Sequence, residues 1–157
     1  MKVGIGYDIH ELKKGRKLVL GGVHIPHESG LAGHSDGDVL LHAIVDAVLG
    51  ASGSGDIGEY FKDTDPRWKG VSSTLFAKKT LALLKGKKLS IRNIDTVLVA
   101  QRPKLEGHKK DIRLSVSRIF GLETKDVNVK AKTNEGFGAI GEGKAIAAMA
   151  VVSLRKV

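Results

Sequence analysis

The sequence predicts a two-layer α+β domain: a sandwich with a mostly four-stranded sheet and helices on one face. Three observations carry that expectation. Residues 1–9, 94–100, 126–133 and 145–157 have strand character. Residues 39–49, 72–84 and 108–120 have helical spacing of apolar side chains. The chain has 157 residues, 41% hydrophobic and 27% charged, which suits one domain with a core of its own. Residues 1–157 are therefore expected to form a single domain.

Each element has its reason. Residues 1–9 alternate, with Val3, Ile5 and Tyr7 on one strand face and Gly4, Gly6, Asp8 and His10 on the other. Residues 17–25 read as a short strand or hairpin that ends at Pro26. Residues 34–38 form a polar turn, and Ser35, Asp36 and Asp38 offer a helix start. The helix 39–49 follows, with Gly50 as its stop. Residues 52–70 make a loop rich in Gly and Asp. The helix 72–84 should turn Leu75, Leu81 and Leu84 inward, and the helix 108–120 carries Ile112, Val116, Ile119 and Phe120 before Gly121 closes it. The strand 126–133 points Val127, Val129 and Ala131 inward, and a Gly-rich turn spans 134–143. Residues 145–157 are rich enough in Ala for a helix. Their apolar residues on both parities suit a strand buried on both faces, and a strand is the expectation.

Composition narrows the chemistry. With no Cys, disulfides, thiolate metal sites and Cys nucleophiles are excluded, so any metal must sit on His, Asp or Glu. The start of the chain reads as a strand rather than a targeting segment, and a cytoplasmic location is expected. The net charge of +9 is unevenly divided: −4 over residues 1–66 and +13 over residues 67–157, with five of the six His in the acidic part. One part is rich in cation ligands, the other in partners for anions. That division suits metal-assisted chemistry on a phosphorylated substrate; the plainer alternative is a solvated lysine-rich surface. Aromatic residues are only 4%, with no basic–aromatic interleaving of the kind nucleic-acid binders use.

Four constellations could carry chemistry. Asp8 and His10, two apart on a strand, share a face beside the small Gly4 and Gly6. Asp38, His42 and Asp46, spaced by four, lie along one side of a helix, so an acidic neighbour could fix the tautomer of a metal-binding His42. Asp8, His10 and His42 together would make an open three-ligand site of the kind catalytic zinc uses. The carboxylates of residues 56–65 could hold a polyol or a second cation, or simply be solvated. Residues 100–106 and 131–135 follow strand ends, where ligands of α/β sheets commonly bind. Lys there can meet phosphate, and Glu135 could hold Mg²⁺.

These pieces in this order closely resemble the 2-C-methyl-D-erythritol 2,4-cyclodiphosphate synthase family. The likeness runs through Gly4-Ile-Gly-Tyr-Asp-Ile-His10, Leu31-Ala-Gly-His-Ser-Asp-Gly-Asp-Val39, Asp46-Ala-Val-Leu-Gly-Ala51, Phe61-Lys-Asp-Thr-Asp-Pro66 and Asp126-Val-Asn-Val-Lys-Ala131. The resemblance implies cyclisation of 4-diphosphocytidyl-2-C-methyl-D-erythritol 2-phosphate with release of CMP. It implies Zn²⁺ on Asp8, His10 and His42, and Mg²⁺ or Mn²⁺ at the diphosphate near Glu135. His34 and Thr133 would stabilise the transition state. Ser35, Asp56, Gly58, Phe61, Lys62, Asp63 and Asp65 would hold the methylerythritol unit. Ala100, Lys104, Leu105, Glu106, Ala131 and Lys132 would hold the cytidine. The family also implies a homotrimer with active sites between subunits, and no nucleic-acid or membrane partner. One departure stands out: Ala139 takes a usual Phe position, and Glu142 and Lys144 reverse a usual Arg and Glu. They are expected to keep a charge pair of opposite polarity. A metal-dependent nucleotide phosphohydrolase and a basic RNA-binding domain are the competing readings.

Overall fold

A computed structural model describes residues 1–157. The long N-terminal strand β1 (Lys2–Lys14) is followed by β2 (Leu18–Leu20), β3 (Val23–Ile25) and β4 (Ser29–Leu31). Helices α1 (Val39–Ser52), α2 (Ile57–Tyr60) and α3 (Thr74–Gly86) come next. Strand β5 (Leu89–Val99), helix α4 (Lys109–Phe120), strand β6 (Val127–Lys132), helix α5 (Gly138–Gly141) and strand β7 (Ala145–Lys156) complete the chain. The main sheet has the order β4-β1-β7-β5-β6. Four of its strands are long and β4 is a three-residue edge, so the expected four-stranded sheet gains one short strand. Only β5 and β6 run parallel. Residues 17–25 form the expected hairpin, β2 against β3.

The core lies between the sheet and the helices. Helix α1 is apolar almost all round and buried along its length; only His42, Asp46 and Gly50 break its run of buried residues. Its distance from the sheet is set by small residues. A Cβ built on Gly4 would lie 2.0 Å from the Ala47 carbonyl oxygen, and one on Gly6 would lie 2.0 Å from that of Ala43. Strand and helix backbones therefore touch, and Asp8 and His10, next along the same strand face, are carried against α1.

Two expectations are corrected. In α3 the buried side chains are Phe76, Ala77, Thr80 and Leu84; Leu75 is half-buried and lies off that face. The aromatic cluster built on Phe76 decides the helix's rotation. Strand β7 is a strand as expected, but not buried on both faces: Met149 and Val151 are each 42% exposed. They pair with Tyr7 and Ile5 of β1, which are 56% and 64% exposed, and Val3 continues the stripe. The expected pair of Glu142 and Lys144 is present at 2.6 Å.

Asp38 has a structural task. Fully buried, it caps α1 by accepting from Leu41 N–H at 3.1 Å. It also accepts from Gly21 N–H at 2.8 Å and Gly22 N–H at 2.7 Å, tying the β2–β3 turn to the helix. Burial pushes its carboxyl up to about 6, even against these three donors. Asp38→Ala would strand buried N–H groups and remove the cap, at an expected cost of about 3 kcal/mol. Urea unfolding checks this; a loss below about 1 kcal/mol would contradict it.

Candidate functional site

Asp8, His10 and His42 meet where the interlayer contact brings them. Asp8 Oδ2 lies 2.9 Å from His10 Nε2 and 3.0 Å from His42 Nδ1, and the two ring nitrogens are 3.1 Å apart. A tetrahedral cation with bonds of about 2.0–2.1 Å separates its ligands by roughly 3.3 Å. The triangle is close to that size. Its donor set, two imidazole nitrogens and one carboxylate oxygen, with a cavity in front, fits a divalent ion that keeps an open position. All three side chains are half-buried.

The electrostatics agree. Burial works to raise the Asp8 carboxyl, but hydrogen bonds and charge from His10 and His42 hold it down at about 2. His10 is pushed the other way: burial lowers it, yet Asp8 and the Ala32 backbone raise it above 6.5. Asp8 is thus an anion throughout the neutral range, while His10 must release a proton to become a ligand. Metal affinity is expected to fall about tenfold per unit of falling pH once His10 is protonated, and the fall should begin at a higher pH than for an ordinary histidine. Chelator competition between roughly pH 5 and 8 measures this; an affinity flat across that range would refute it.

Other side chains shape the cavity of about 900 Å³ in front of the triangle. His34, Ser35, Asp46, Asp56, Gly58, Phe61, Lys62 and Asp63 line it. His34 Nε2 faces the Asp65 carbonyl at 3.1 Å. Asp56 caps α2 by accepting from Glu59 N–H, and Asp46 accepts from Ile57 N–H at 3.0 Å. Asp65 lies outside the lining, accepts from Arg67 N–H and pairs with its guanidinium at 2.6 Å. Phe61 is buried and stacks on Phe76 at 4.4 Å, with Trp68 edge-on to both. This aromatic cluster pins the loop that carries Lys62 and Asp63.

The expected link from Asp38 or Asp46 to His42 is corrected. Both carboxylates bind backbone N–H groups instead, because a helix start and a following turn leave such donors unpaired. The partners of His42 Nε2 are Ser73 Oγ at 2.8 Å and Ser35 Oγ at 3.1 Å, and Asp36 stands behind Ser73. Sequence reasoning missed Ser73. It sits 31 residues from His42, and its only local signal was the start of a helix.

The remaining predicted residues gather elsewhere. Ala100, Lys104, Leu105, Glu106, Ala131, Lys132 and Thr133 line a second cavity of about 720 Å³, with His27, Gln101, Arg102 and Pro103. The parallel pairing of β5 and β6 ends both strands at one place, and Ala100 N–H donates to the Lys132 carbonyl at 2.9 Å. Thr133 donates to Glu135 at 2.5 Å. Within one chain the two cavities share no lining residue.

Residues 1–155 match the model of the YgbB family. A protein of Alkaliphilus oremlandii named 2-C-methyl-D-erythritol 2,4-cyclodiphosphate synthase is 51% identical over 156 residues, 99% of each chain. A protein of Desulfosudis oleivorans with the same name is 54% identical over 151 residues, 96% of this chain and 90% of that one. A solved structure titled as this synthase in a CDP-bound form superposes with a TM-score of 0.90 at 40% identity, covering 98% of this chain and 100% of that one.

Proposed function

The chain belongs to the YgbB family, and from that premise we propose that it converts 4-diphosphocytidyl-2-C-methyl-D-erythritol 2-phosphate to 2-C-methyl-D-erythritol 2,4-cyclodiphosphate and CMP. The convergence of Asp8, His10 and His42 at the mouth of a polar cavity carries this reading. An oxygen of the substrate's 2-phosphate attacks the β-phosphorus. A new P–O bond closes the ring as the bond to the bridging oxygen breaks, and CMP leaves with that oxygen. The nucleophile comes from the substrate, so the protein has only to position groups and balance charge.

Asp8, His10 and His42 would hold Zn²⁺, and Glu135 would hold Mg²⁺ or Mn²⁺; when bound, these ions would supply positive charge to the diphosphate. The chain's own groups do the rest. His34 meets the β-phosphate oxygens. Asp56, Asp63 and the Gly58 backbone accept and donate hydrogen bonds at the methylerythritol hydroxyls, while Ser35 and Phe61 hold the cavity wall and Asp65 steadies His34 through its carbonyl. Lys104 and Lys132 face the cytidine phosphate, Thr133 stabilises the charge that develops on leaving, and the turns around Ala100, Leu105, Glu106 and Ala131 read the base through their backbones. Phosphorus NMR of the turnover mixture tests the reaction. CMP with a cyclic diphosphate supports it; CMP with an open-chain bisphosphate would instead mean hydrolysis by water.

The assembly we propose is a homotrimer with each site shared between two subunits. Two features support it. The stripe of Val3, Ile5, Tyr7, Met149 and Val151 leaves apolar surface on the central strands without cover. The substrate must reach both cavities, which lie apart in one chain. Light scattering on the purified protein should give three times the chain mass. The location we propose is the cytoplasm; no helix is long and apolar enough to cross a membrane.

A further inference from the structure

A neutral imidazole carries one proton, and a metal ligand must present the bare nitrogen. In His42, Nδ1 lies in the triangle with Asp8 and His10, while Nε2 points into the protein towards Ser73 Oγ, 2.8 Å away. Ser73 is fully buried. Its backbone N–H donates to Asp36 Oδ2 at 3.0 Å, and its hydroxyl lies 2.5 Å from Asp36 Oδ1.

Directionality follows from what each group can do. An ionised carboxylate only accepts, so the Ser73 hydroxyl proton points at Asp36. The Ser73 oxygen is left with lone pairs facing His42, and an acceptor in that position requires the hydrogen on Nε2. Nδ1 is then the nitrogen left for the ion; while the triangle is empty its partner is the Asp8 carboxylate, 3.0 Å away. We propose that Ser73 and Asp36 are positioning residues that hold the Nε2–H of His42 and so present its Nδ1 lone pair to an ion in the triangle. This rests on the metal-site reading above. Ser35 does not substitute for Ser73. Its hydroxyl, 3.1 Å from Nε2, touches no carboxylate, so it can turn and donate as readily as accept.

The test uses the full-length protein and two readouts. ¹⁵N NMR of the imidazole in the Zn²⁺-loaded chain reports the tautomer of His42, and chelator competition reports its Zn²⁺ affinity. The wild type should show Nε2–H. Ser73→Ala should give a mixture with Nδ1–H and bind Zn²⁺ about 10–100-fold more weakly, with its melting temperature little changed. Asp36 acts through Ser73, so Asp36→Asn added to Ser73→Ala should change affinity by less than about twofold further. A wild-type His42 protonated at Nδ1 would overturn the proposal, as would a Ser73→Ala variant that keeps both tautomer and affinity. Should that variant fail to fold, the wild-type spectrum still decides. A wild type that binds no Zn²⁺ would overturn the metal-site reading, and Nε2–H in that chain would leave the Ser73 contact to His42 standing.

Discussion

A His42→Ala variant should lose cyclisation by at least about 10³-fold while remaining folded. His42 supplies one vertex of a triangle whose other two members, Asp8 and His10, cannot close around an ion alone. Two ligands leave a divalent cation largely to water, and the charge that develops on the diphosphate loses its fixed counterpart. The fold should tolerate the change. The imidazole is half-buried, faces the cavity and meets the apolar core through a tilted contact with Phe76, 5.8 Å between ring centroids. Phosphorus NMR read beside a urea melt separates the two effects. Activity above about a tenth of wild type in a folded variant would remove the triangle from the mechanism.

Gly6→Ala should be among the most damaging single-methyl changes in the chain. The added Cβ would sit 2.0 Å from the Ala43 carbonyl oxygen and 2.8 Å from the Ala47 backbone nitrogen. Neither can rotate away, because both belong to the helix backbone. Either α1 moves off the sheet or β1 shifts, and overpacking of that sort costs about 3 kcal/mol or more. The damage should reach the site even where the protein folds, because His42 adjoins Ala43 on the displaced helix. Both the urea midpoint and metal affinity should drop together. A variant with wild-type stability would refute the backbone contact between β1 and α1 at Gly6.

The legible parts of this protein are those governed by short-range pattern. Alternation in β1 identified the face that carries Gly4, Gly6, Asp8 and His10, and helical spacing placed His42 on α1. The closure of β1 against α1 then brings Asp8, His10 and His42 together. What the sequence hid depends on groups far apart in the chain. Asp38 looked like a partner for His42, because residues four apart share a helix face. Its position at the helix start instead gave it three backbone donors to satisfy. Ser73 does the work expected of it, and no local pattern ties residue 73 to residue 42. The rotation of α3 was misread for a related reason: leucines suggested one face, while Phe76 found its partners in Phe61 and Trp68 of a loop. The stripe of Val3, Ile5 and Tyr7 read simply as one side of a strand; alternation reports two faces and does not say what covers either.

That uncovered stripe sets a kinetic hazard. A newly made chain displays Ile5, Tyr7, Met149 and Val151 in the middle of its sheet, before any second copy has met it. The trimerisation proposed above and indiscriminate clumping would then draw on the same surface, and both would accelerate with concentration. The +9 net charge tilts the contest, because it keeps unmatched encounters apart while a correctly registered one can still bury the apolar patch. Refolding yield should therefore peak at intermediate protein concentration and fall when salt screens that repulsion.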